Sequence, residues 1–365
     1  MDVELLSVGV AVPAHEITQA ASLALTERVC CVDGRQRRFA KVLYEHAGVA
    51  TRYGVLPLTE ADRWAPDGPL TTDGAPNLGP STEARMEYYQ QHALPLALRA
   101  SRQALDRSGC QPSEITHLVT ASCTGFAAPG VDLGLIQHLK LRPTTERIHV
   151  GYMGCHGAIN ALRAARGLAC ADVRNRILVC SVELCTIHYA FQWSTERMLG
   201  NALFADGSGA VVLGARETPV NPSRHPWRLA ATGSYVFPGT ADAMAWSIGN
   251  HGFVMSISSE LPRLIQANLH EWLSAWLESH GLGVSDVNLW AVHPGGPRIV
   301  EAVEAAMGLT PGQTAVSRQV LSAYGNMSSA TVLFILQSLF DGGAQPPCVL
   351  LGFGPGLVAE AALFV

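Results

Sequence analysis

Apolar and polar positions alternate along the chain with two different periods. Short apolar runs of the kind found in buried strands occupy 115–121, 176–182, 209–214 and 287–292. Between them, apolar residues that recur every three or four positions predict helices over 81–108 and 261–280. Glycine follows each helix, at Gly109 and Gly281, as is common at helix C-termini. Such alternation of strands and helices predicts an α/β protein.

Two segments lack a periodic pattern. Residues 59–80 are rich in Pro, Gly and Asp, which predicts a surface loop or lid. Residues 216–225, with three prolines in and around them, predict a break between two halves of the chain. We therefore place an N-terminal half at 1–220 and a C-terminal half at 221–365.

The two halves repeat one plan. In each half, a buried strand is followed by a turn containing glycine that opens a helix, and then by further strands. The helix starts are Gly154-Cys155 in the first half and Gly325-Asn326 in the second. A duplicated fold would bring both helix starts to a shared interface, where a site can form. The alternative is a coincidence of spacing, because α/β alternation is itself repetitive.

The composition is that of a globular protein with a large core. The 365 residues are 48% hydrophobic and 15% charged. A net charge of −5 and the absence of any run of Lys and Arg argue against a nucleic-acid partner. No apolar stretch reaches about 18 residues, and residues 1–4 lack the positive start of a secretion signal. We expect no membrane span and a cytoplasmic location.

The cysteines do not follow the pattern of a disulfide scaffold or a metal site. Nine is an odd number, and a chain of this size does not need disulfide staples. No Cys-x2-Cys pair recurs, so we expect no metal and no other cofactor. Four cysteines in apolar or helical surroundings are predicted to be core thiols, namely Cys110, Cys170, Cys180 and Cys348.

Cys155 is the first of three candidate catalytic residues, in the stretch Gly-Tyr-Met-Gly-Cys-His-Gly. At a helix N-terminus, free N–H groups and the helix dipole favour a thiolate, as a nearby imidazolium would, and can lower a cysteine pKa to about 3.5–7.5. We predict an anionic nucleophile at neutral pH. The alternative is a buried capping thiol, but Gly154 and Gly157 weigh against it because they allow a substrate to approach closely.

His293 and Asn326 complete the candidate set. His293 precedes Pro-Gly-Gly-Pro, which ends a strand and places the imidazole at the carboxyl edge of a sheet. Asn326 begins Asn-Met-Ser-Ser, where an ordinary N-cap is the alternative role. Together they are neutral donors for the enolate oxygen formed when a malonyl thioester loses carbon dioxide. With a nucleophilic cysteine, this predicts decarboxylative carbon–carbon bond formation rather than hydrolysis.

Over most of its length the chain resembles the type III polyketide synthases, the chalcone and stilbene synthase family of the thiolase superfamily. Besides the three catalytic stretches, the resemblance rests on Cys123-Thr-Gly-Phe, Pro129-Gly-Val-Asp, Leu203-Phe-Ala-Asp-Gly and Gly352-Phe-Gly-Pro-Gly-Leu. The last motif discriminates best, because third-class ketoacyl-carrier-protein synthases share the Cys-His-Asn logic but lack it. The resemblance implies a duplicated thiolase-like fold, layered α-β-α-β-α, and a homodimer.

The same resemblance implies roles for individual residues. Cys155 would accept an acyl group from coenzyme A and be extended by malonyl-CoA, while His293 and Asn326 promote decarboxylation and bind the enolate. Phe204 matches a gatekeeping phenylalanine, and Ser328 a serine beside the catalytic asparagine. Other positions of the family pocket fall on Cys123, Thr124, Gly354 and Pro355.

Several positions depart from the plant enzymes. The second gatekeeper aligns with Met255, two cavity threonines align with Cys185 and His188, and a cyclisation-pocket glycine aligns with Trp246. Residues 246–253 resemble bacterial members that make alkylpyrones or alkylresorcinols from fatty acyl starters. The lysines that contact coenzyme A have no clear counterpart, which leaves as candidates Arg38, Lys41, His46 and Arg52.

We therefore expect a type III polyketide synthase that condenses an acyl-CoA starter, with aliphatic starters favoured, with malonyl-CoA and cyclises the product to a pyrone or resorcinol. The alternatives are a ketoacyl-carrier-protein synthase of the third class and an inactive acyl-binding scaffold.

Overall fold

A computed structural model describes residues 2–216 and 227–365. The strands in these ranges are β1 (Asp2–Ala11), β2 (His15–Thr18), β3 (Thr51–Gly54), β4 (His117–Ser122), β5 (Glu146–Gly151), β6 (Arg176–Leu184), β7 (Asp206–Arg216), β8 (Leu229–Val236), β9 (Met244–Gly249), β10 (Gly252–Ile257), β11 (Leu289–Val292), β12 (Cys348–Gly354) and β13 (Val358–Phe364). The α-helices are α1 (Gln19–Val29), α2 (Gly34–Glu45), α3 (Leu58–Arg63), α4 (Thr82–Ser108), α5 (Val131–Leu139), α6 (Gly157–Ala171), α7 (Thr195–Leu203), α8 (Leu261–Glu278), α9 (Pro297–Met307), α10 (Ala315–Tyr324) and α11 (Thr331–Asp341).

The predicted strands and long helices are present. Helix α4 is capped by Ser81, whose side-chain oxygen accepts from the Ala84 N–H, and it ends at Gly109 with φ +73°. The prediction of an irregular segment over 59–80 is wrong at its start, which belongs to helix α3. Pro57, in an extended conformation, precedes that helix and favours its start. The predicted break at 216–225 lies beyond Arg216 outside the described residues, and the division at 220 stays a prediction.

Two sheets share one topology. The N-terminal sheet has the order β1-β7-β6-β4-β5 and the C-terminal sheet the order β8-β13-β12-β11. The β6–β4 pair and its counterpart β12–β11 are both parallel, with Val119 opposite Val179 and Ala291 opposite Leu350. The β1–β7 and β7–β6 pairs, and their counterparts β8–β13 and β13–β12, are antiparallel. Since β1, β7, β6 and β4 correspond in order to β8, β13, β12 and β11, the duplication is confirmed.

Helices fill three layers around the two sheets. The central layer consists of α6 and α11, whose side chains form one apolar cluster with residues of both sheets. Helices α4 and α5 pack on the outer face of the N-terminal sheet, and α8 and α9 on the outer face of the C-terminal sheet. This is the predicted α-β-α-β-α order, and it places the starts of α6 and α11 side by side in the middle of the molecule.

Candidate active site

Cys155 lies in a single 3-10 turn, Gly154–His156, between β5 and α6. Gly154 has φ +73°, and a Cβ at this position would lie 2.5 Å from Pro355 Cδ. Only glycine fits such a turn, because an L side chain is strained at this φ and would clash. The close approach packs the nucleophile turn against Gly354 and Pro355, so both halves of the chain contribute to this site.

Gly354 is equally constrained. A Cβ there would lie 2.4 Å from ring atoms of His156 and 2.8 Å from the Met153 carbonyl oxygen. We expect Gly354→Ala to lower the free energy of unfolding by about 1–3 kcal/mol, because backbone must move to admit the methyl group. Thermal or urea unfolding measures this change.

Gly167 in α6 is the matched control for that substitution. No atom lies within 4 Å of a Cβ built there. We expect Gly167→Ala to stabilise the protein by about 0.5–1 kcal/mol, the usual gain from alanine in a helix. Equal effects of the two substitutions would contradict the close packing at Gly354.

Asn326 is held in a short bridge to the segment around Phe204. Its N–H donates to the Leu203 carbonyl and its carbonyl accepts from the Ala205 N–H, both at 2.9 Å. Its Oδ1 accepts from the Ser328 N–H at 2.8 Å. Asn326 is not a helix N-cap, because Met327 precedes a 3-10 turn, Ser328–Ala330, and Ala330 precedes α11. Its side-chain oxygen instead closes a local turn with Ser328. The amide nitrogen remains a donor, and the Asn326 side chain favours the thiolate form of Cys155, since it lowers the pKa of that thiol.

The Cys155 thiol is enclosed by protein atoms although the residue keeps partial exposure. Burial raises the pKa of Cys155 to about 12, although hydrogen bonds from Ser328, at 3.7 Å from Sγ, and Asn326 oppose the rise. The predicted thiolate at neutral pH is therefore wrong. Desolvation at this site outweighs the effect of the helix start.

We expect alkylation of Cys155 by iodoacetamide to accelerate about tenfold per pH unit from about pH 7 to about pH 10. A thiol with a pKa of about 12 is protonated throughout this range, so its reactive thiolate fraction grows with pH. Peptide mass spectrometry at Cys155, with Cys155→Ala as background, measures the rate. A plateau below about pH 8 would restore the thiolate prediction.

His293 follows β11, where its N–H donates to the Leu351 carbonyl at 2.7 Å. The side chain is 1% exposed, and neither ring nitrogen has a hydrogen-bond partner within the described ranges. Burial, with a smaller contribution from His156, lowers the pKa of His293 to about 3. The imidazole is neutral at physiological pH, so it can accept a proton or donate one to a bound substrate.

The predicted pocket residues fall into two groups. A cavity of about 240 Å³ is lined by Cys185, His188, Phe204, Trp246 and Met255. Cys123, Thr124 and Ser328 lie instead beside the nucleophile, around Glu183. None of the three catalytic candidates lines the cavity. Phe204 borders the cavity and is bridged to Asn326, so it stands where the two regions meet.

Glu183 is a buried carboxylate that the sequence interpretation missed. It accepts from the Cys123 N–H at 3.0 Å, the Thr124 hydroxyl at 2.7 Å and the Ser329 hydroxyl. Burial raises its pKa, which the hydrogen bonds from Ser329 and Thr124 oppose. The available signal was a charged residue inside an otherwise buried strand, where an unpaired charge is costly. Its electrostatic effect also raises the pKa of Cys155.

His188 is part of the cavity wall. Its Nε2 lies 2.6 Å from the Thr124 carbonyl, and its Nδ1 accepts from the Phe253 N–H at 3.1 Å. The ring stacks on Phe253 with centroids 4.2 Å apart. Because both nitrogens are occupied and burial lowers its pKa to about 3, His188 acts as a fixed neutral wall.

The candidates for binding coenzyme A separate by burial. Arg38 and Lys41 lie on the exposed face of α2, and His46 follows that helix at the surface. Arg52 is only 2% exposed and donates to backbone carbonyls, so its guanidinium is engaged within the protein, and its predicted contact with coenzyme A stays a prediction. No group of three His, Cys, Asp or Glu side chains suited to a metal occurs in residues 2–216 and 227–365. In the same ranges, every helix is too short or too polar to cross a membrane.

Family profiles match the chain in two consecutive segments. The profile described as chalcone and stilbene synthases, N-terminal domain, matches residues 2–217, and the corresponding C-terminal profile matches residues 228–365. The chain belongs to the chalcone and stilbene synthase family. It is thus a type III polyketide synthase, a condensing enzyme of the acyltransferase type, as the sequence motifs predicted. The alternatives of a third-class ketoacyl synthase and an inactive scaffold are set aside.

Relatives in the family differ in their named products. The chain is 33% identical over 286 residues to the alpha-pyrone synthesis polyketide synthase-like Pks18 of Mycobacterium tuberculosis, covering 77% of the chain and 72% of the relative. It is 31% identical to the 1,3,6,8-tetrahydroxynaphthalene synthase of Streptomyces peucetius, covering 98% and 91%. Among solved structures, PKS-I of the brown alga Ectocarpus siliculosus superposes with a TM-score of 0.91 at 30% identity, covering 100% and 98%.

Proposed function

We propose that this enzyme loads an aliphatic acyl-CoA starter onto Cys155, extends it with malonyl-CoA and cyclises the chain to a pyrone or resorcinol. The observation that carries the proposal is the meeting of the turns that bear Cys155 and Asn326 at the adjacent starts of α6 and α11, where Ser328 Oγ lies 3.7 Å from Cys155 Sγ. His293 is buried and neutral with both ring nitrogens unpaired in the described ranges, and His156, the residue after Cys155, is its electrostatic neighbour.

Loading begins with a protonated thiol. Cys155 Sγ attacks the thioester carbonyl of the starter, and its proton passes to the neutral imidazole of His293. The carbon–sulfur bond to coenzyme A breaks, and the departing thiolate takes that proton back from the imidazolium. The result is an acyl-cysteine thioester and free coenzyme A. A neutral His293 is suited to both proton transfers because its imidazole is neutral before the first transfer and neutral again after the second.

Extension uses the same groups as donors. The carbonyl oxygen of malonyl-CoA accepts hydrogen bonds from His293 and from the Asn326 amide nitrogen, and the carbon–carbon bond to the carboxylate breaks to release carbon dioxide. The enolate carbon then attacks the acyl-cysteine carbonyl and displaces the thiolate of Cys155. Each step uses the chain's own thiol, imidazole and amide, and we propose that no cofactor takes part.

The cavity wall supports an aliphatic starter. Its lining includes Leu25, Leu58, Trp64, Phe253 and Met255. Such a surface favours burial of an alkyl chain at about 25 cal/mol per Å². The similarity to Pks18, whose name refers to alpha-pyrone synthesis, points in the same direction. For coenzyme A itself, we propose contact with the exposed cations Arg38 and Lys41 and with His46.

A starter panel tests the proposal. The enzyme is incubated with malonyl-CoA and saturated acyl-CoA thioesters of increasing length, and coenzyme A release and product mass are followed. We expect turnover with several aliphatic starters and products whose masses equal the starter plus whole acetate units, less water where cyclisation removes it. Turnover with malonyl-CoA alone and none with acyl starters would instead favour a naphthalene-forming enzyme. Turnover only with malonyl-carrier protein would contradict delivery by coenzyme A.

We also propose a cytoplasmic homodimer. The nine cysteines are free thiols, which suits a reducing compartment. Strand β5 ends its sheet, and apolar side chains on and near it are 39–64% exposed, namely Phe126, Ile148, Tyr152 and Met153. An edge strand beside such side chains is suited to a second copy of the chain. Sedimentation should give twice 38.8 kDa, and Ile148→Asp should weaken the dimer.

A further inference from the structure

Arg52, in β3, is a buried cation held by neutral groups. Its side chain donates to the carbonyls of Asn201 at 2.7 Å, Ala202 at 2.6 Å and Phe204 at 3.0 Å. It also donates to the Gln19 side-chain oxygen. In the described ranges it forms no ion pair with a carboxylate, and burial lowers its pKa. A buried guanidinium without a counter-charge is costly, which makes its surroundings informative.

The three carbonyls belong to the C-terminal end of α7 and the residue after it. A helix leaves its last carbonyls without partners inside the helix, and the negative end of its dipole favours a cation there. The planar guanidinium satisfies several of them at once, as an ammonium would not. Arg52 therefore fixes the direction in which the chain leaves α7, and Phe204 is the first residue beyond that helix.

The Asn326 segment rests on the same support. A Cβ at Gly325 would lie 3.2 Å from Arg52 Cβ and 3.0 Å from the Leu203 carbonyl oxygen. Gly325 has φ +70°, and its neighbour Asn326 is paired with the segment around Phe204. The guanidinium thus holds the end of α7 and Phe204 at the cavity border. Asn326 pairs with the residues on either side of Phe204, so the guanidinium supports the Asn326 turn through that segment.

We propose that Arg52 is a positioning residue that holds Phe204 and Asn326 in register with Cys155. The proposal rests on the proposed roles of those residues in decarboxylative extension. Loading requires Cys155 and His293, neither of which Arg52 supports directly. Decarboxylation requires the Asn326 amide, and misplacing such a group by about 1 Å can cost about 100-fold in rate. Loss of Arg52 should therefore separate the two partial reactions.

The experiment compares Arg52→Gln and Arg52→Lys with the natural enzyme. Starter loading is followed by intact-protein mass spectrometry without malonyl-CoA, and decarboxylation by conversion of malonyl-CoA to acetyl-CoA without starter. We expect decarboxylation to fall about 30–100-fold in Arg52→Gln and loading to fall at most about threefold. Arg52→Lys should lie between, because it keeps the charge but not the fork.

Arg85→Lys is the matched control. Arg85 is also fully buried, donates to the carbonyls of Pro80, Ile187 and Tyr189, and forms no ion pair in the described ranges. Its substitution should lower the melting temperature without changing the ratio of decarboxylation to loading. If the Arg52 variants do not fold, Gln19→Ala, which removes one acceptor of that guanidinium, should show the same selective loss more weakly.

Two results would overturn the role of Arg52. One is an equal fall in the rates of loading and decarboxylation in Arg52→Gln, with the same equal fall in Arg85→Lys. The other is wild-type decarboxylation in a folded Arg52→Gln. If the natural enzyme did not convert malonyl-CoA to acetyl-CoA at all, the proposed function itself would be contradicted. The assay of the natural enzyme, made before any variant is compared, distinguishes this case.

Discussion

Replacing Cys155 with alanine is expected to abolish acyl loading and to lower product formation at least about 10⁴-fold, as removal of a nucleophile commonly does. The reason is that no other thiol takes its place between α6 and α11. Cys123, the neighbouring thiol, is committed to Glu183 and Ser328 and has a strongly raised pKa owing to burial. Intact-protein mass spectrometry after incubation with starter measures loading directly.

Two observations make the Cys155→Ala experiment specific. Slow conversion of malonyl-CoA to acetyl-CoA should persist, because His293 and Asn326 remain in place. Cys180→Ala, which removes a fully buried core thiol in β6, should load starter normally. Persistent acylation of the Cys155→Ala chain would show that the nucleophile lies elsewhere.

Asn326→Ala is expected to load starter at close to the natural rate but to decarboxylate malonyl-CoA about 10²–10³-fold more slowly, the usual effect of losing one oxyanion donor. The cysteine thiol and His293 persist in this variant. What disappears is the amide nitrogen, which the turn with Ser328 leaves available to donate to an enolate oxygen. Single-turnover loading and acetyl-CoA release separate the two effects.

Asn326→Asp separates the loss of the amide N–H donor from the loss of the hydrogen bond that Asn326 Oδ1 accepts. Aspartate keeps an oxygen for the Ser328 N–H, so the turn before α11 should persist, but it lacks the donor and its charge repels an enolate. We expect decarboxylation at least as slow as in Asn326→Ala, with a melting temperature closer to that of the natural protein. If Asn326→Asp decarboxylated malonyl-CoA as fast as the natural enzyme, the turn with Ser328, and not the amide donor, would be the contribution of Asn326 to decarboxylation.

Local signals were sufficient to predict the buried strands and long helices and to select three candidate catalytic residues. The apolar periods of strands and helices involve residues close together in the sequence. The same holds for the end signals of α4, Ser81 at its start and Gly109 at its end, and the structure confirms both. The chemistry of Cys155, His293 and Asn326 was likewise recognisable because each has a distinct reactive group beside glycine. The burial of charged side chains was not predictable from such local patterns. Arg52 and Glu183 are charged side chains whose environments come in part from segments more than a hundred residues away.

By itself, the sequence determined the alternation of strands and helices, indicated the duplicated plan and supplied three candidate reacting groups, since these depend on short-range pattern and residue type. Tertiary structure alone decided three other matters. It enclosed the Cys155 thiol so that its pKa rises instead of falling. It turned Arg52 inward to the end of α7. It also placed Phe204 between the cavity and Asn326. The physical reason is that desolvation and buried hydrogen bonds depend on atoms contributed by distant segments, which no local pattern contains.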